Sequence, residues 1–241
     1  MSKVCVLIHG YLTNYLDFQL LPKKLIEHYD QVILLCLPGH NHKDSIYDFK
    51  KDAVFKYIHK EMDQIVENNT VDVIGFSLGG ALAWYIALNY KINKLVLLAP
   101  ANNYINFFLL NAKIRYLRTL DKLEEPLRQK LKDELKQKDK EAIDFIVKNT
   151  IPKFNISNGF HFCKIINEIN KNKSNINIPL LVIRGDLDEL VPKKSANLVY
   201  GRCINENKHM YNIPDIGHMM LRTNRHDDII KRVIDFLIED K

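Results

Sequence analysis

Six short apolar runs recur along the chain, and longer stretches with apolar residues at helical spacing lie between them. Residues 4–8, 32–37, 71–74, 95–99, 180–183 and 209–213 read as strands. The first five are nearly unbroken apolar runs, as expected where both faces of a sheet are covered. The periodicity predicts helices over 15–28, 46–68, 78–89, 195–200 and 227–238. This alternation predicts an α/β fold with a mainly parallel, doubly wound sheet.

One stretch interrupts the alternation. Residues 101–178 carry no convincing strand. Within 115–150, Leu117, Leu120, Leu123, Leu127, Leu131 and Leu135 recur at spacings of three and four, as in a helix. Residues 160–169 read as a further helix, Pro126 and Pro152 punctuate the stretch, and 171–175 form a polar linker. The expected organisation is therefore a core of residues 1–100 and 179–241, with a helical insertion over 101–178 above the end of the sheet.

Charge sharpens that division. Residues 101–178 hold 15 lysines and arginines against 9 acidic residues, a surplus equal to the net +6 of the whole chain. The simplest reading is a solvated helical surface; a sharper one is weak attraction to anionic substrates or an anionic membrane surface. Bases and aromatics are not interleaved as on a nucleic-acid surface. With 241 residues, 46% apolar and 27% charged, the chain is large enough for one α/β core and a modest insertion. No apolar run approaches the roughly 20 residues of a membrane span. Met1-Ser2-Lys3 leads directly into an apolar run too short for a secretion signal. Cys5, Cys36, Cys163 and Cys203 are scattered, with no Cys-x-x-Cys pair. They are expected to be free thiols in a reducing, cytoplasmic compartment. No pattern bears on oligomeric state.

The segment Gly75-Phe76-Ser77-Leu78-Gly79 matches Gly-x-Ser-x-Gly, between an expected strand and an expected helix. That context puts Ser77 on a tight, strained strand-to-helix turn, its hydroxyl lifted above the sheet edge. Gly75 and Gly79 leave the turn free of side chains, and Gly80 lets the helix lie close to a neighbouring strand. The helix N-terminus and the Leu78 N–H then favour negative charge developing at Ser77. A second donor is expected at Tyr11, through its main-chain N–H, after Ile8-His9-Gly10. His9 is read as ordering this loop. His40-Asn41-His42 lacks a third ligand at suitable spacing and is read as loop, not as a metal site.

A serine hydroxyl needs a base, and the base needs an acid to fix its tautomer. In this fold the order along the chain is Ser, acid, His. Gly217-His218 follows the last strand, which makes His218 the base. Asp186 and Asp188 both follow the strand at 180–183. The position of Asp188, three residues after Gly185 and four before Pro192, favours it. Asp186 and Asp215 read as loop carboxylates.

Taken together in this order, the His9-Gly10 loop, the Ser77 turn, Gly185-x-x-Asp188 with Val191-Pro192, and Gly217-His218 resemble the α/β-hydrolase superfamily. Within it they are most similar to small bacterial carboxylesterases and monoacylglycerol-lipase-like serine hydrolases. The resemblance implies a fold of about six strands without the N-terminal hairpin, and a helical cap at 101–178. It also implies Asp188 as the acid, and no metal or cofactor. The implied activity is hydrolysis of small carboxylic esters, of short to medium acyl chains or monoglycerides. A thioesterase, a C–C bond hydrolase or a lyase of the menaquinone-pathway type are alternatives on the same three residues, and a non-catalytic binding protein is a further one. The departures narrow the branch. Residues 38–41 read Pro-Gly-His-Asn where Pro-Gly-His-Gly is common, and there is no Gly-Gly-Gly oxyanion loop. The turn carries Ser in place of the Asp of dehalogenases and epoxide hydrolases. It also lacks the Gly-Gly-Ser-Trp-Gly-Gly of proline iminopeptidases. Residues 102–110, Phe162 and Met219 are expected either to wall an acyl pocket or to pack the insertion onto the core.

Overall fold

The computed structural model describes residues 1–41, 44–103 and 156–239. Six strands form one parallel sheet: β1 (Ser2–Ile8), β2 (Gln31–Leu35), β3 (Asn69–Phe76), β4 (Lys94–Leu98), β5 (Leu180–Gly185) and β6 (Lys208–Ile213), in the order β2-β1-β3-β4-β5-β6. The chain runs outward from β1 to β2, then returns to place β3 on the other side of β1. The strand order therefore reverses between β1 and β3, and ligands of open α/β sheets bind at such a switch, beyond the strands' C-terminal ends.

Alternating side chains of each strand enter two separate cores. Val4, Val6, Ile8, Val71, Val73, Leu95 and Leu97 face one. Cys5, Leu7, Ile74, Val96, Leu98, Leu181 and Ile183 face the other. The first core is closed by α2 (Lys51–Val66), α3 (Leu78–Asn89), α4 (Ile156–Lys171) and α5 (Lys193–Gly201); the second by α1 (Leu21–Leu25) and α6 (His226–Ile238). Cover on both faces is why the strands lack the alternation of a one-sided sheet. The helices carry the expected stripes: Val54, Ile58, Met62 and Ile65 on α2, and Ile229, Ile230, Val233, Phe236 and Leu237 on α6. On α4, Phe162, Ile165, Ile166 and Ile169 are all buried in the first core.

Two predicted helices are broken. In place of one helix over 15–28 stand a 3-10 turn, Tyr15–Phe18, and the short α1. Gln19 between them takes φ 49°, which no helix accommodates. In place of one helix over 46–68 stand a 3-10 turn, Ile46–Asp48, and α2. Phe49 between them leaves helical geometry, with its ring buried against Tyr11 and His40. Most of the expected insertion, including the leucine-spaced 115–150, lies outside the described residues. Among the described residues no helix is long and apolar enough to cross a membrane, and no disulfide joins the four cysteines.

Candidate active site

Ser77 stands at the junction of β3 and α3 with φ 55° and ψ −115°, a left-handed conformation that non-glycine residues rarely adopt. Its surroundings enforce it. A Cβ on Gly75 would meet the Gly79 carbonyl oxygen at 2.2 Å, and a Cβ on Gly79 would meet that of Ile8 at 1.9 Å. The helix thus begins against the end of β1. The Ser77 N–H donates to the Leu98 carbonyl at 2.9 Å, and the Ala101 N–H donates to the Ser77 carbonyl at 2.9 Å. Strand β4 and the segment after it therefore hold the turn from the other side.

His218 follows β6 and reaches this serine, its Nε2 lying 2.9 Å from Ser77 Oγ. Its Nδ1 lies 2.8 Å from Asp188 Oδ2. A carboxylate only accepts, so Nδ1 carries the proton and Nε2 is left to accept from the serine hydroxyl. The other oxygen of Asp188 accepts from the N–H groups of Leu190 at 3.0 Å and Val191 at 2.9 Å. The Asp188 side chain is 1% exposed. Burial pushes its pKa up, but the adjacent His218, the hydrogen bond to it and the two N–H donors outweigh that and hold the carboxyl below its ordinary range. The loops carrying acid and base are stitched together: Leu187 N–H donates to the Ile216 carbonyl at 3.0 Å, and Asp186 N–H to that of Ile213 at 3.0 Å. Gly185 permits this approach, since a Cβ there would meet the Ile216 oxygen at 2.2 Å. Asp186 and Asp215 are exposed. Of the three carboxylates considered, Asp188 is the one brought to His218.

The two expected N–H donors stand at the ends of neighbouring strands, Tyr11 after β1 and Leu78 after β3. Among the described residues neither main-chain N–H has a partner within the protein. His9 Nδ1 lies 2.8 Å from the Gly10 carbonyl oxygen, while His9 Nε2 accepts from the Leu37 N–H at 3.0 Å. The Gly10 carbonyl belongs to the same peptide unit as the Tyr11 N–H, so His9 fixes the plane of that unit. His40 accepts the Leu12 N–H on Nε2 at 3.0 Å, with Nδ1 3.0 Å from the Pro38 carbonyl oxygen. In the sequence His40 reads as loop and nothing marks Asp17, which accepts the Gly10 N–H at 3.0 Å. The contacts of Gly10 with Asp17, Leu12 with His40 and Leu37 with His9 span 7 to 28 residues, and no local pattern signals them.

Phe162 is fully buried, its ring centroid 5.3 Å from that of Tyr11. Met219 is buried in the second core. Residues 104–110, the rest of the expected acyl wall, lie outside the described residues, as does His42 of the His40-Asn41-His42 run. Among the described residues no cluster of His, Cys, Asp or Glu has the geometry of a metal site.

The family model described as serine aminopeptidase, S33 (Hydrolase_4), matches residues 1–224. No curated protein matches the chain in sequence. Among solved structures, the monoacylglycerol lipase of Paleococcus ferrophilus superposes with a TM-score of 0.70 at 17% identity, over 97% of this chain and 93% of that one. The enol-lactonase of Burkholderia xenovorans LB400 gives 0.69 at 18% identity, over 99% and 92%. The meta-cleavage product hydrolase of Pseudomonas fluorescens IP01 gives 0.67 at 19% identity, over 98% and 90%. At these identities the likeness is one of fold, and it extends over nearly all of this chain and nine-tenths or more of each of the others. Sheet order, strand-to-helix turn and family match agree: the chain belongs to the Hydrolase_4 family of α/β-hydrolases.

Proposed function

We propose that the chain is a serine hydrolase that cleaves carboxylic esters of short to medium acyl chains, or monoglycerides, through an acyl-enzyme. One observation carries the reading: the continuous hydrogen-bonded line Asp188–His218–Ser77, at 2.8 and 2.9 Å, placed at the N-terminus of α3. Ser77 Oγ attacks the ester carbonyl and His218 Nε2 takes its proton. Asp188 holds the imidazole in the required tautomer and stabilises the imidazolium. The N–H groups of Tyr11 and Leu78 take up the oxyanion. His218 then protonates the leaving alcohol. Water, deprotonated by the same imidazole, attacks the acyl-enzyme; the bond to Ser77 Oγ breaks, His218 returns the proton to Oγ, and the acid leaves.

The family description names an aminopeptidase, whereas the turn lacks the Gly-Gly-Ser-Trp-Gly-Gly of proline iminopeptidases. The test therefore sets nitrophenyl esters of two to twelve acyl carbons beside a monoglyceride, an acyl thioester and an aminoacyl nitroanilide. The reading expects the highest kcat/KM on an ester and loss of that turnover in Ser77→Ala. Preference for the anilide, or ester turnover unchanged by Ser77→Ala, contradicts it.

A further inference from the structure

The main-chain N–H assigned to the oxyanion sits between two others that are already bound. Before it, the Gly10 N–H donates to Asp17 Oδ2 at 3.0 Å; after it, the Leu12 N–H donates to His40 Nε2 at 3.0 Å. Leu12 lies in the left-handed region at φ 61° and is fully buried. A leucine holds that conformation only where its surroundings over-determine it. Asp17 is part of what does so. Its Oδ2 also accepts from the Thr13 hydroxyl, so one oxygen grips the loop on both sides of Tyr11. Asp17 is 3% exposed, and among the described residues its other oxygen has no hydrogen-bond partner. A carboxylate in this state is a costly way to brace a turn that an apolar side chain could fill.

We propose that Asp17 is a positioning residue for the reaction, its carboxylate holding the Gly10–Leu12 turn so that the Tyr11 N–H faces the oxyanion. The proposal rests on the reading of Ser77 and Tyr11 given above. Asp17 touches neither substrate nor the serine. Its effect passes through the Gly10 N–H and the Thr13 hydroxyl to a donor that strengthens as charge develops, so it acts on kcat more than on KM.

The charged groups acting on this carboxylate are the Arg222 guanidinium and His218. Burial pushes Asp17 up to about 6, against the Thr13 and Gly10 hydrogen bonds and these two groups. Asp17→Asn copies the protonated acid: it keeps an acceptor for the loop and lacks the charge. The comparison of wild type with this variant therefore depends on pH in a way that a purely structural brace does not.

The test measures kcat and KM of nitrophenyl butyrate hydrolysis for wild type, Asp17→Asn and Asp17→Leu across pH 4.5 to 8.5, with Ser77→Ala as control. Asp17→Leu is expected to lose about 100-fold in kcat, the scale of one oxyanion donor, with KM within about threefold. Asp17→Asn is expected to restore kcat to within about fivefold of wild type above pH 7. Below pH 5 the ratio of the two falls to one. Loss confined to KM, Asp17→Leu turning over like wild type, or a ratio constant with pH overturns the proposal. Should Asp17→Leu fail to fold, the Asp17→Asn ratio still decides. Ester turnover surviving in Ser77→Ala overturns the underlying reading instead, whatever Asp17 does.

Discussion

Asp188→Asn is nearly isosteric, and the structure dictates how the new amide must sit. The N–H groups of Leu190 and Val191 point at Oδ1 from 3.0 and 2.9 Å and accept only an oxygen there. The amide nitrogen is thereby forced into the Oδ2 place, 2.8 Å from His218 Nδ1. An NH2 group donates, so Nδ1 becomes the acceptor and its proton moves to Nε2. Nε2–H then faces Ser77 Oγ and cannot take its proton. A triad in the wrong tautomer loses about 10,000-fold in kcat, about 5 kcal/mol of barrier at 1.36 kcal/mol per tenfold. The assay is steady-state hydrolysis of nitrophenyl butyrate at pH 7.5, with Asp186→Asn beside it. Asp186 is exposed, and it is Asp188 that bonds His218, so the Asp186 variant is expected to stay within about twofold, as exposed substitutions do. Asp188→Asn retaining more than a tenth of wild-type kcat, or Asp186→Asn falling equally far, refutes the reasoning.

Two further outcomes concern stability. Gly79→Ala puts a methyl group 1.9 Å from the Ile8 carbonyl oxygen and 2.5 Å from that of His9. Helix α3 must lift from β1, and the variant is expected to lose about 3 kcal/mol or more in denaturant unfolding; an unchanged midpoint contradicts the contact. Asp17, pushed up from 3.8 to about 6 chiefly by burial, is easier to protonate folded than unfolded. Its contribution is most favourable below about pH 4 and declines as pH rises through about 6. At neutral pH this shift corresponds to about 3 kcal/mol of destabilisation. Asp17→Asn is therefore expected to raise Tm at pH 7.5 and leave it unchanged at pH 4. A gain of equal size at both pH values contradicts the sign.

The strands and α3 were legible because burial on both sheet faces demands continuous apolar runs. The predicted helix over 78–89 coincides with α3, and the observed strands lie within two residues of those expected. The breaks at Gln19 and Phe49 were not legible. Apolar spacing continues across both, while the cause is a backbone angle in one case and a long-range ring contact in the other. The choice between Asp186 and Asp188 rested on spacing and family resemblance; burial beside His218 supplies the physical reason. The supports of the Tyr11 loop were hidden for a different cause. Leu37 and His9, or Leu12 and His40, are 28 residues apart, too far for local spacing to show the contact. Substrate choice is the least legible: the stretch 101–178, expected to bear on it, has helical periodicity but no pattern of chemistry.

The central claim is that Ser77 is the nucleophile, activated by His218. Labelling with a fluorophosphonate probe, followed by intact-mass and peptide-mass analysis, tests it most directly. The account predicts one adduct per chain, on the peptide containing Ser77, absent in Ser77→Ala and slowed by at least about 100-fold in His218→Ala. An adduct on another residue, or undiminished labelling of Ser77→Ala, contradicts it.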